Sequence, residues 1–202
     1  MIKKKIIFDF DSVLCNFVEP WLEWLKEQRH TNYQFKPEDV LSYDWIEKNF
    51  GHASKQFFLE DPFEAYSRIK PYKGAKELLN WCFDVFEEVE ILTHASQYTT
   101  KQAKTWFIDK YFDTHKVKYF DKIEDKYRYT AGSILIDDYP FHVIKHISTH
   151  NDPGIVFNHE GRNGWGHLDG YIDLLKNEKP DLKLYHEAHS FDEVKKSLLQ
   201  LF

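Results

Sequence analysis

The stretch Ile6-Ile7-Phe8-Asp9-Phe10-Asp11 constrains the fold of this chain more than any other. Its run of β-branched and aromatic residues predicts a buried strand, yet it ends on two carboxylates two residues apart. Side chains at i and i+2 of a strand point to the same side, so Asp9 and Asp11 would converge and repel each other. Such an arrangement is stable where a cation or a positively charged partner lies between them. A hard divalent ion such as Mg²⁺, which takes oxygen ligands from one or two carboxylates and a phosphate, meets that need. A solvated acidic strand end is the plainer alternative. The chain then turns at Ser12, and Val13 to Phe17 lead into a helical pattern.

Two later segments repeat the theme. Val89 to Thr93 predicts a strand ending in a hydroxyl, followed by His94-Ala95-Ser96. A hydroxyl and backbone N–H groups where a strand gives way to a helix make an anion site, although a Thr or Ser there also serves as a simple helix cap. Ser133 to Asp138 predicts a third apolar strand, ending in the pair Asp137-Asp138; alone, it reads equally as an Asp-rich turn before Tyr139-Pro140. The three together are harder to dismiss. Ligands of an open parallel sheet bind beyond the carboxyl ends of its strands, where all of these residues lie.

F-D-F-D-S-V-L resembles the D-x-D-G-[TV]-L motif of the haloacid dehalogenase-like (HAD) phosphohydrolases, with Ser12 where the family usually has Gly, so the tight turn is made less easily. Thr93 and the Asp137-Asp138 pair resemble the second and fourth motifs. Within the family, the insertion after the first motif, ILTHAS and LIDD are most similar to the 5′(3′)-deoxyribonucleotidases. The resemblance implies an α/β, HAD-like (Rossmann-like) doubly wound, mainly parallel sheet with a small helical cap inserted after strand 1. The core would be residues 1–16 and 71–202, and the cap residues 17–70. It implies a Mg²⁺-dependent phosphatase in which Asp9 attacks phosphorus and Asp11 is acid and base. Thr93, His94 and a lysine would hold the phosphate; Lys126 suits its D-K context, with Lys122 as the alternative. Mg²⁺ would rest on Asp9, the backbone carbonyl of Asp11, Asp137 and Asp138, and the base would stack on Phe17, Trp45 and Phe63. The implied substrate is a deoxynucleoside monophosphate. A phosphatase of sugar or other small phosphates is the nearest rival. A signalling receiver places its acid pair on the first strand and its acceptor Asp later, the reverse of this chain. A purely binding relative is disfavoured because both Asp9 and Asp11 are present.

The bulk numbers agree with a small phosphorylated ligand. In 202 residues, 42% hydrophobic and 17% aromatic, there is ample material for a core. The net charge of −6 speaks against duplex nucleic acid. Two cysteines, Cys15 and Cys82, give no disulfide framework. No signal-peptide pattern opens the chain, and no apolar run approaches the roughly 20 residues of a membrane span. A soluble cytoplasmic protein is expected, with a homodimer left open.

Elsewhere, helices are predicted over 17–30, 44–50, 53–58, 76–86 and 97–111, and short strands over 117–120, 154–158 and 182–185. His142, His146 and His150 recur every four residues, a solvated helix face rather than a metal site, since no further ligand pattern accompanies them. The Gly-rich loop His159 to His167 lacks the P-loop pattern and reads as a substrate-side or an ordinary surface loop. Ser190 to Glu193 is a capping box opening the last helix.

Overall fold

The computed structural model describes residues 1–29, 35–40, 48–51, 53–114, 116–159 and 175–201. Strand β1 (Ile2–Phe8) occupies the middle of a six-stranded sheet. Its Ile6-Ile7-Phe8 run is apolar throughout because a central parallel strand is covered on both faces. β4 (Phe86–His94) and β6 (Ser133–Asp137) flank it in parallel, Ile6 lying opposite Val89 on one side and Ile134 on the other. β5 (Val117–Phe120) extends the sheet beyond β4; β7 (Gly154–Phe157) and then β8 (Tyr185–Ala188) extend it beyond β6, all parallel. The chain leaves β1 for β4 and β5, then crosses back to β6 on β1's other side, so the order reverses at β1. The end of that strand is where such a sheet opens a crevice.

Between β1 and β4 lie the helices α1 (Val18–Arg29), α2 (Ala53–Leu59) and α3 (Pro62–Arg68), before α4 (Ala75–Val85). α3 starts where sequence chemistry says it should: Asp61 accepts the Glu64 N–H at 3.0 Å, and Pro62 follows it. Aromatic rings join these helices, with Trp21–Phe58 and Trp24–Phe57 centroids 5.4 Å apart. A two-residue antiparallel ribbon, β2 (Cys15–Asn16) with β3 (Lys70–Pro71), ties the two ends of the insertion together. It is too short for any periodicity to predict. The helix expected over 44–50 lies largely outside the described residues, as does most of the loop 159–167.

Among the described elements after β4 are α5 (Tyr98–Phe112), a 3₁₀ helix (Ile123–Tyr129), α6 (Pro140–His150) and α7 (Phe191–Gln200). Ile6 and Phe8 face one apolar cluster with the insertion, α4, α5 and α7, while Ile7 joins Leu92, Leu135, Val143 and Ile147 on the opposite face beneath α6. The last strand begins at Tyr185 rather than Leu182. The Asp181 side chain accepts the Lys183 N–H at 3.0 Å, and its carbonyl accepts the Leu184 N–H at 2.9 Å, which holds 181–184 in a turn. Ser190 caps α7 by accepting the Glu193 N–H at 3.2 Å, but Glu193 reaches back to the His189 N–H at 2.7 Å, one residue beyond a standard box.

Candidate active site

Asp9 follows β1 directly and its N–H donates to the Ile136 carbonyl at 2.8 Å, which sets it beside the end of β6. Asp137 ends β6 and Asp138 follows. Carboxylate oxygens of Asp9, Asp137 and Asp138, all buried, lie within 4.8 Å of one another. Lys126, delivered by the 3₁₀ helix, is buried among them: its Nζ donates to Asp9 Oδ1 and, at 2.6 Å, contacts Asp137 Oδ2. Lys122 precedes that helix and is exposed. After Asp11 the chain turns through Ser12, whose φ of +60° is the left-handed conformation that glycine adopts without strain.

Charge and burial compete sharply here. Burial raises the Asp9 carboxyl to about 6, the Lys126 ammonium pulling the other way and Asp137 and Asp11 adding to the rise. Asp137 is pulled well below the carboxylate range: burial opposes its charge, but Lys126 and His142 more than offset that. Lys126 is likewise held above its ordinary value, because Asp137 and Asp9 outweigh the cost of burying its charge. Asp138 is raised by burial first and by Asp9 and Asp137 next. The firmly ionised pair is therefore Lys126–Asp137. Full ionisation of all three carboxylates needs further positive charge, and an all-oxygen donor set of this kind suits a hard divalent ion.

A second lysine enters from the other side and has no counterpart among the residues expected from sequence. Lys104, buried on α5, donates from Nζ to Asp11 Oδ2 at 2.6 Å, Thr93 Oγ1 at 2.7 Å and the His94 carbonyl at 2.7 Å. The other Asp11 oxygen accepts from the Tyr66 hydroxyl at 3.1 Å. One signal was available: Lys104 shares the inner face of its helix with Thr100, Ala103, Phe107 and Ile108. A lysine there is buried only if paired.

The other expected residues are placed as follows. Thr93 is buried at the end of β4, against Lys104. His94 is half-buried with Nε2–H donating to the Asp121 carbonyl at 3.0 Å, and burial lowers its pKa. The Ala95 N–H donates to the Phe120 carbonyl at 3.1 Å and is engaged in the sheet rather than directed at a ligand. Phe17 is 3% exposed, packed on Trp21 and Phe58. Phe63 is exposed on α3 and meets Trp106 edge-on. Trp45 lies outside the described residues.

The three histidines of α6 are not a solvated face. His142 and His146 are buried and His150 is half-buried. His142 Nδ1–H donates to Asp137 Oδ2 at 3.1 Å. His146 Nε2–H donates to the Pro153 carbonyl at 3.1 Å, its Nδ1 meeting the Thr130 hydroxyl at 2.7 Å, and His150 Nε2–H donates to the Tyr127 carbonyl at 2.7 Å. The spacing of four aligned them on one face as expected; that face packs on the end of β6 and on the turn that delivers Lys126. Polar residues at helical spacing look solvated in sequence, whereas here hydrogen bonds satisfy them in the interior.

A parallel sheet with paired acids, a threonine and buried lysines at its switch point defines a HAD-like phosphohydrolase. The chain belongs to the family of cytosolic type C deoxy-5′-nucleotidases: the model described as "5′ nucleotidase, deoxy (Pyrimidine), cytosolic type C protein" matches residues 3–165. As a member of it, the protein is a phosphoric monoester hydrolase acting on small phosphomonoesters. Its fold is shared with a predicted phosphatase from Clostridium acetobutylicum (TM-score 0.63, 16% identity, 99% of this chain and 100% of that one). It is shared too with a HAD family hydrolase from Deinococcus radiodurans R1 that holds phosphate and sodium (TM-score 0.64, 13% identity, 98% and 96%). A third, the magnesium-bound HAD-hydrolase YfnB from Bacillus subtilis, has a TM-score of 0.59 at 13% identity, over 97% and 98%. No curated protein sequence matches the chain significantly. Among the described residues, no helix is long and apolar enough to cross a membrane.

Proposed function

We propose that this enzyme is a magnesium-dependent phosphatase that hydrolyses deoxynucleoside monophosphates to nucleoside and phosphate through an aspartyl-phosphate. The observation that carries the reading is the convergence of Asp9, Asp11, Thr93, Asp137 and Asp138 around two buried lysines, in a chain of this family. Asp9 attacks phosphorus in line; the bond from phosphorus to the nucleoside oxygen breaks as Asp11 gives that oxygen its proton. A water then attacks the phosphorus, Asp11 takes a proton from it, and Asp9 leaves. Thr93, Lys126 and Lys104 offer donors to phosphoryl oxygens as charge redistributes. Asp9, Asp137, Asp138 and the Asp11 carbonyl would hold Mg²⁺, which when bound neutralises phosphoryl charge and favours ionised Asp9.

Residues 17–70 serve in this reading as a cap over the core formed by 1–16 and 71–202. The base is held from the cap side, where Trp45 and Phe63 are the candidates, Phe17 being packed on Trp21 and Phe58 inside the insertion, and His94 is the candidate on the core side. The test is phosphate release from 5′ and 3′ nucleoside monophosphates, ribo and deoxy, beside sugar phosphates, with Mg²⁺ or EDTA. Magnesium-dependent release highest from deoxynucleotides is expected, falling by about 10⁴-fold or more in a folded Asp9→Asn variant. Release only from sugar phosphates would discard the substrate, and an active Asp9→Asn protein would discard the nucleophile.

A further inference from the structure

Asp11 is held by two donors that come from different parts of the molecule. Lys104 belongs to α5, which packs on the sheet, and takes Oδ2 at 2.6 Å; Tyr66 belongs to α3 of the insertion and donates to Oδ1 at 3.1 Å. The Tyr66 ring is 1% exposed, stacked on Phe10 at 6.0 Å and edge-on to Phe107 at 6.1 Å, with the Lys104 ammonium 5.8 Å from its centroid. Phenylalanine would fill that space equally well. What the hydroxyl adds is a bond to a carboxylate 55 residues away in sequence. That face of α5 also bonds the insertion directly, Thr100 Oγ1–H donating to the Phe58 carbonyl at 3.3 Å. A carboxylate gripped at one oxygen pivots about that contact, whereas donors on both oxygens fix its plane.

We propose that Tyr66 is a positioning residue for Asp11, making the orientation of the proton donor depend on the seating of the helical insertion. The inference rests on the reading of Asp11 as the acid that protonates the departing nucleoside oxygen. With the insertion seated, Tyr66 and Lys104 aim Asp11 at that oxygen; with it displaced, Asp11 keeps Lys104 and loses its aim.

Leaving-group dependence isolates this role. A deoxynucleoside leaves as an alcohol and needs the proton, whereas p-nitrophenol departs unaided as its anion. First-turnover release of thymidine from thymidine 5′-monophosphate and of nitrophenolate from p-nitrophenyl phosphate is compared in wild type, Tyr66→Phe, Thr100→Val and Asp11→Asn. Tyr66→Phe is expected to lower the thymidine-to-nitrophenolate rate ratio about 10-fold, the scale of losing orientation rather than the acid itself. KM for thymidine 5′-monophosphate should stay within about twofold, as for an interaction realised in the transition state. Thr100→Val, which loosens the same seam without touching Asp11, should keep the wild-type ratio. An unchanged ratio in Tyr66→Phe, or an equal fall in Thr100→Val, overturns the proposal. If Asp11→Asn collapses the ratio while Tyr66→Phe does not, only the positioning role is lost; if Asp11→Asn also keeps the ratio, the acid reading has failed and the proposal with it.

Discussion

The two buried lysines approach β1 from opposite sides and differ in what would remain if each were removed. Lys126 bridges Asp9 and Asp137, whose side chains are 13% and 1% exposed. Lys104 pairs with Asp11, whose side chain is 25% exposed. Water can resolvate Asp11 but cannot reach Asp137. One lysine therefore sits in a dry ion-pair network, while the other holds a partly wet carboxylate.

Paired substitutions would break this comparison most directly. Lys126→Met should destabilise the protein by about 3–5 kcal/mol, the cost of leaving a buried charge unpaired. Lys104→Met should cost only about 1–2 kcal/mol, as for a charged hydrogen bond whose partner regains water. Urea unfolding of both variants measures the difference. Equal losses would mean that Asp11 is as dry as Asp137 and that the two sides are equivalent.

The supports behind the lysines differ as well. Lys104 stands on a regular helix, but Lys126 stands on a 3₁₀ turn whose end is held by His146 through Thr130 and by His150 through the Tyr127 carbonyl. Burial lowers the pKa of His146 from 6.5 to about 4. Between those values the unfolded chain takes up a proton that the folded protein refuses. His146 therefore contributes stability fully above pH 6.5 and loses it as pH falls toward 4, by about 3 kcal/mol in all. His146→Gln should flatten the fall in unfolding free energy over that window relative to wild type. Parallel pH curves would mean that His146 is already charged in the folded protein.

These contrasts mark where the sequence could and could not be read. Asp9, Asp11, Thr93 and Asp137 were legible because each lies at or just beyond the end of an apolar strand, and a strand's direction and period are local properties. The parallel sheet came with the family resemblance that these strand ends carry. Lys104 and Tyr66 were not legible, because their meaning is a contact across 93 and 55 residues of chain. No local pattern separates a buried lysine from a solvated one unless the face it occupies is examined. The histidines of α6 show the reverse case: the spacing was visible, but whether that face met water or the Lys126 turn was decided by packing. The aromatics of the insertion were legible only as apolar; Phe17 fills its interior, and nothing in its sequence context distinguishes that from a base platform.

The smallest expected effect concerns the turn that both sides share. Ser12 joins the Asp9 and Asp11 strand end to the insertion in the left-handed conformation, φ +60°, and its hydroxyl is buried without a hydrogen-bond partner among the described residues. The left-handed conformation costs a side-chain-bearing residue about 1–2 kcal/mol, and its unpaired hydroxyl returns no hydrogen bond to offset that. Against this, glycine loses more backbone freedom on folding, about 0.5–1 kcal/mol. Ser12→Gly should therefore be stabilising, by about 1 kcal/mol, which a thermal midpoint raised by a few degrees would register. A lowered midpoint would show that the Ser12 hydroxyl has a partner in solution, and that the turn is held by the serine rather than strained by it.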